Sequence, residues 1–140
     1  MTRPPASKSP TRRPSPAVTK AEYEELAAFR YRLRLFLRFS EQAAREVGLT
    51  AQQHQALLAI MGFPGRDEIN VGELAERLQI AHHSAVGLVD RLVAQKLLLR
   101  KHGTEDARQV YLSLSPRGRK ILERLSVAHR EELRRLGLPL

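Results

Sequence analysis

The chain has 140 residues, enough for one domain with a modest core. Its 24 Lys and Arg against 15 Asp and Glu leave a net charge of +9, which points to a polyanionic partner, either nucleic acid or an anionic membrane surface. The absence of cysteine excludes a disulfide framework, a zinc ribbon and any thiol switch, and fits a reducing cytoplasm; no apolar run reaches the length of a membrane span, and residues 1–20 lack the apolar centre of a secretion signal.

Residues 1–18 form a separate compositional segment. Pro4, Pro5, Pro10, Pro14 and Pro16 alternate with Arg3, Lys8, Arg12 and Arg13, with no acidic residue and little to bury. Such a segment cannot offset its ordering entropy, so a disordered basic arm is expected, either touching DNA phosphates or simply solvated. Residues 19–140 read as one domain. Thr19 with Glu22 is a capping box that opens a helix to about Val47, closed by Gly48. Phe29, Leu33, Phe36, Leu37, Ala44 and Val47 give it an apolar stripe, and Tyr31, Leu35 and Phe39 a second one, more than one side of a small domain needs.

Thr50 with Gln53 opens a second helix, to about Met61, and Asn70 with Glu73 a third, to about Leu78. After a short break a fourth helix is predicted from about His82 to Gln95. Leu97–His102 and Arg108–Ser115 have strand character, with Gly103–Asp106 between them. Ser115-Pro116 supplies an N-cap and a first-turn proline for a last helix to about Leu136. The predicted class is mostly α with a small β-hairpin wing. The winged helix-turn-helix spans 50–115, flanked by dimerisation helices at 19–48 and 116–137. Surplus apolar faces on the outer helices, including Ile121, Leu122, Leu125, Leu133 and Leu136, predict an obligate homodimer.

The function is carried by the helix-turn-helix, whose second helix fits a major groove. Ala85, Leu88, Val89 and Leu92 share its inward face. The opposite face offers His83, Gly87, Asp90 and Arg91, with Ser84 at its margin, and is small and hydrogen-bonding. A mid-helix glycine costs about 1 kcal/mol, which close approach of Gly87 to a groove floor would compensate. Arg100, Lys101, His102 and Arg108 gather at the wing, which suits a minor groove, and Asp106 is placed to hold Arg108 by a bidentate ion pair. Arg91 has a structural alternative, pairing with Glu73 or Asp90.

The segments Val71-Gly-Glu-Leu-Ala-Glu-Arg-Leu78, Leu88-Val-Asp-Arg-Leu92, Glu105-Asp-Ala-Arg108 and Leu112-Ser-Leu-Ser-Pro-Arg-Gly118 resemble the MarR family of bacterial regulators, in a likeness that covers Thr19 to Leu136. The resemblance implies a homodimer on a pseudo-palindromic operator of double-stranded DNA. His82, His83, Ser84, Gly87 and Arg91 would lie in the major groove, and Arg108 after Asp106 on the wing. It also implies a small lipophilic or phenolic ligand between the dimerisation and DNA-binding parts, for which Phe29, Leu33, Phe36 and His54 are the candidate lining; taken singly, the aromatic residues of the first helix read more readily as dimer core. Three departures stand out. Ala81 replaces the usual Ser or Thr cap, Lys96 replaces a usual glycine, and the sequence stops soon after Leu136, which implies a smaller dimer interface.

A metal site is disfavoured, because His82 and His83 point about 100° apart on a helix and His54, His102 and His129 fall on other elements. Ser84, His83 and Asp90 are not spaced as a catalytic triad, so neither an enzyme nor a cofactor is expected. The alternative to a sequence-specific repressor is a non-specific architectural DNA-binding protein; a protein-interaction module leaves the basic wing unexplained.

Overall fold

The computed structural model describes residues 2–5, 17–103, 105, 106 and 108–139. The arm expected over 1–18 therefore lies mostly outside the described residues. The elements run α1 (Lys20–Glu46), α2 (Ala51–Met61), α3 (Val71–Leu78), α4 (His82–Ala94), β1 (Leu98–His102), β2 (Val110–Leu114) and α5 (Pro116–Arg135). This is a winged helix fold, five helices and one antiparallel hairpin among the described residues.

Local chemistry sets the boundaries. Thr19, Thr50 and Asn70 each accept a hydrogen bond from the backbone N–H three residues on, while Glu22, Gln53 and Glu73 reach back to the cap backbone. Ser115 caps α5 in front of Pro116. Helix α1 ends in a Schellman closure: Gly48, at φ +81°, donates to Arg45 O and Leu49 donates to Ala44 O. Ala81, as its side chain dictates, caps α4 with no side-chain hydrogen bond.

The core lies where α2, α4, the base of the hairpin and the first half of α5 meet. Leu57, Ile60, Leu74, Leu88, Leu92, Leu97, Leu98 and Leu112 are fully buried, with Leu122 and Leu125 from α5 beside them. That location corrects the expectation for the last helix: Leu122 and Leu125 are used inside the monomer, and only part of the α5 stripe is left over. Ile69 adds a bridge that the sequence reading lacks, exchanging two backbone hydrogen bonds with Leu112 at 3.1 and 2.7 Å. The strands are shorter than predicted. In β1 only Leu98 is buried; Leu99–His102 are exposed, while Leu112, opposite Arg100 on β2, still reaches the core.

Lys96 takes the place and the conformation of the glycine it replaces, with φ +61°. A left-handed non-glycine residue costs about 1–2 kcal/mol, part of which glycine would give back as unfolded-chain entropy. Lys96→Gly is therefore expected to stabilise the fold by roughly 0.5–1 kcal/mol. A urea titration showing no gain would mean that the lysine side chain makes a compensating contact.

Candidate nucleic-acid interface

The turn between α3 and α4 is tight. Gln79 adopts the left-handed conformation at φ 53°, and Ile80 donates to Ala75 O at 3.0 Å. Helix α4 then packs on Ala85, Leu88, Val89 and Leu92, all buried as predicted, which turns the other side of the helix outward. His82, His83 and Ser84 are exposed in its first turn, and Arg91 is exposed two turns on. Gly87 is half-buried, and a Cβ there would meet only Arg91 Nη1, at 3.8 Å.

The two structural partners considered for Arg91 are taken. Glu73 pairs with Arg66, whose guanidinium lies over the Phe63 ring, and Asp90 pairs with Arg100 of β1. Arg91 is thus left unpaired on the exposed face among the described residues. The Asp90–Arg100 pair ties the base of the wing to α4, so Arg100 acts first as a strut between the two elements. Lys101 lies 3.9 Å from Glu68.

At the wing the expected bidentate pair is not formed. Arg108 Nε is 4.0 Å from a single Asp106 oxygen, and the arginine side chain is 96% exposed. Instead Asp106 Oδ1 accepts the backbone N–H of Arg108 at 3.0 Å, and Gln109 N–H donates to Asp106 O at 3.0 Å. A short aspartate side chain in a turn bonds the backbone two residues on more readily than it reaches a guanidinium tip. Asp106 therefore shapes the loop and leaves Arg108 free to extend.

The candidate ligand residues are only partly brought together. A cavity of about 160 Å³ is lined by Phe36 of α1, His54 and Leu58 of α2, and Ser126, His129, Arg130 and Leu133 of α5. Phe29 and Leu33 do not line it: Phe29 lies two turns before Phe36 on α1 and is 47% exposed. The missed residue is His129. It follows Leu122 and Leu125 on one face of α5, so helical spacing alone marks it as inward-facing. Its Nδ1 lies 2.6 Å from Leu125 O and its Nε2 2.8 Å from Ser40 Oγ. A carbonyl only accepts, so Nδ1 carries the proton, and in the neutral ring Nε2 accepts from the Ser40 hydroxyl. Phe36 and Phe39 meet the same ring edge-on, at 5.7 and 5.3 Å.

Among the described residues no group of three or more His, Asp or Glu side chains is placed to hold a metal ion, and no helix is long and apolar enough to cross a membrane.

Residues 47–109 match the model of the MarR family. Over 77 residues the chain is 29% identical to the HTH-type transcriptional repressor MdtR of Bacillus subtilis, a match spanning 55% of this chain and 48%, about half, of that repressor. The crystal structure of the multiple antibiotic-resistance repressor of Listeria monocytogenes is 31% identical, with 78% of this chain and 73% of that one covered and a TM-score of 0.65. A MepR variant of S. aureus bound to an oligodeoxyribonucleotide shares the fold at a TM-score of 0.67, with 22% identity over 86% of this chain and 83% of that one.

Proposed function

The chain belongs to the MarR family, and from that premise we propose that it is a transcription regulator, a repressor that binds a pseudo-palindromic operator as a two-fold dimer and responds to a small aromatic ligand. The observation that carries this reading is the exposed face of α4. It presents His83, Ser84 and an Arg91 whose structural partners are both engaged elsewhere, beside a wing whose Arg108 extends into solvent. A guanidinium free to form two parallel hydrogen bonds suits a guanine edge in the major groove, and a single extended arginine suits a minor groove.

The dimer is supported by Tyr23, Leu26, Phe29 and Leu37, exposed apolar side chains along α1. Two-fold pairing through α1 and α5 would bury them and set two recognition helices about 34 Å apart, one duplex turn. The ligand is supported by the cavity between α1, α2 and α5, whose 160 Å³ is room for about one aromatic ring.

In vitro selection from a random duplex library, at fixed salt, tests the reading. A two-fold-related motif should emerge, bound at least ~10³ more tightly than random DNA. Recovery of no motif, with uniform affinity, would give precedence to architectural binding. Sedimentation should find a dimer at micromolar concentration, and a stable monomer would remove the two-fold operator from the reading.

Gly87 offers a sharper test. Alanine fits there sterically and should stabilise α4 by about 1 kcal/mol. Its methyl group would nevertheless stand between the helix and the groove floor. Gly87→Ala is expected to raise the urea midpoint and weaken operator binding together, and unchanged operator affinity would place Gly87 away from the groove.

A further inference from the structure

His54 and His129 form a buried pair at the junction of three helices. Their ring centroids are 4.7 Å apart, and the two residues are 3% and 8% exposed. Helix α2 carries His54 at this junction on one side and packs against α3 of the helix-turn-helix on the other. Every polar atom of the His129 ring has a partner, whereas the buried Nδ1 of His54 has none among the described residues. We infer that this pair is a proton-sensitive latch: neutral imidazoles hold α1, α2 and α5 together, and a proton on His54 loosens the junction and with it the placement of the DNA-binding helices. The DNA consequence rests on the function proposed above; the latch itself does not.

The surroundings oppose a charge on His54 from every side. Beside His54 in the cavity, α5 presents His129 and Arg130 and α1 presents Phe36, while Phe39 and Ser40 of α1 lie against the far partner, the His129 ring. The titratable groups of α3 and β2, which also pack on α2, are engaged elsewhere: Glu73 with Arg66, Glu76 with Gln79, Arg77 over Phe63, and Tyr111 with Gln109. No carboxylate lines the cavity among the described residues. Burial first, and repulsion from His129 second, hold the His54 imidazole down at about 4.

The sign follows from linkage. Above pH 6.5, the ordinary value, His54 is neutral whether the chain is folded or not. Between 6.5 and about 4 the unfolded chain takes up a proton that the folded one refuses, so stability falls with pH across that window. From pH 7.5 to 5 the folded-to-unfolded ratio should fall about thirtyfold on account of this one group.

The experiment uses the full chain and the duplex recovered by selection, at constant ionic strength, from pH 7.5 to 4. Wild type should keep its affinity down to pH 5, where His54 stays neutral in the folded chain, and lose about twofold by pH 4, where the folded chain takes up the proton. His54→Leu should show no such loss. Urea unfolding of both proteins reads the latch without DNA: the thirtyfold loss should be present in wild type and absent in His54→Leu. An imidazole nitrogen NMR titration of wild type needs no variant and should show His54 neutral down to pH 5. A His54 that titrates near 6.5, or a pH loss that persists in His54→Leu, overturns the latch. A stability loss confined to wild type without any loss of DNA affinity overturns its link to DNA binding. Failure of the selection itself counts against the proposed function and leaves the urea and NMR results standing.

Discussion

Replacing Gly118 with alanine is expected to destabilise the protein by about 3 kcal/mol or more, the largest stability effect of any single methyl group considered. A Cβ at Gly118 would sit 2.2 Å from the carbonyl oxygen of Leu97 and 3.2 Å from its carbonyl carbon. Those atoms are backbone and cannot swing aside. They are also held from the other direction: Ser115 N–H donates to Leu97 O at 3.0 Å, and Ser115 Oγ donates to Lys96 O at 2.7 Å while accepting from Gly118 N–H at 3.0 Å. The start of α5 is clamped on the start of β1, and only a residue without a side chain lets the helix approach so closely. An added methyl would have to displace α5, and with it Leu122 and Leu125, from the core. Urea unfolding of Gly118→Ala measures this directly, and a loss below about 1 kcal/mol would show that α5 can shift freely on the hairpin.

Gly118 also illustrates what a sequence exposes and what it hides. Capping boxes such as Asn70 with Glu73 were readable because both halves lie within one turn and the geometry is set by the backbone between them. The inward face of α4 was readable for the same reason, since a 3.6-residue period needs no knowledge of the partner. Contacts between elements were not readable in this way. The Asp90–Arg100 pair spans α4 and β1, Ile69 meets Leu112 across more than forty residues, and His54 reaches His129 only because α2 and α5 are packed together. Spacing could assign each of these residues to a face, but the partner on that face depends on how the helices cross. The same limit explains the ligand residues: a stripe on α1 contains both Phe29 and Phe36, and only the crossing with α5 determines that Phe36 alone of the two lines the cavity.

Arg91→Ala and Arg108→Ala are expected to weaken DNA binding in different ways. Arg91 is a guanidinium unpaired among the described residues, on the exposed face of α4 two turns beyond His83 and Ser84. A bidentate contact to a base edge is worth roughly 1–3 kcal/mol, so Arg91→Ala should reduce operator affinity by about 5- to 150-fold. It should also relax discrimination at one base-pair position, and the change in affinity for random DNA should be much smaller. Arg108, 96% exposed at the wing, should contribute charge in a groove whose base code is degenerate. Its removal should weaken all sequences alike and flatten the salt dependence by about one unit of slope.

Asp106 separates orientation from charge. Counting charges predicts that Asp106→Ala tightens binding, since a carboxylate near DNA is lost. The structure has Asp106 bonding the backbone N–H of Arg108, so its loss should let the loop wander and weaken binding instead. Asp106→Asn keeps an acceptor for that N–H without the charge, and should bind at least as well as wild type. Affinities measured for both duplexes across a salt series distinguish the two accounts. If Arg91→Ala and Arg108→Ala lower operator and random DNA by one common factor, α4 is not reading bases, and the protein binds DNA through charge alone.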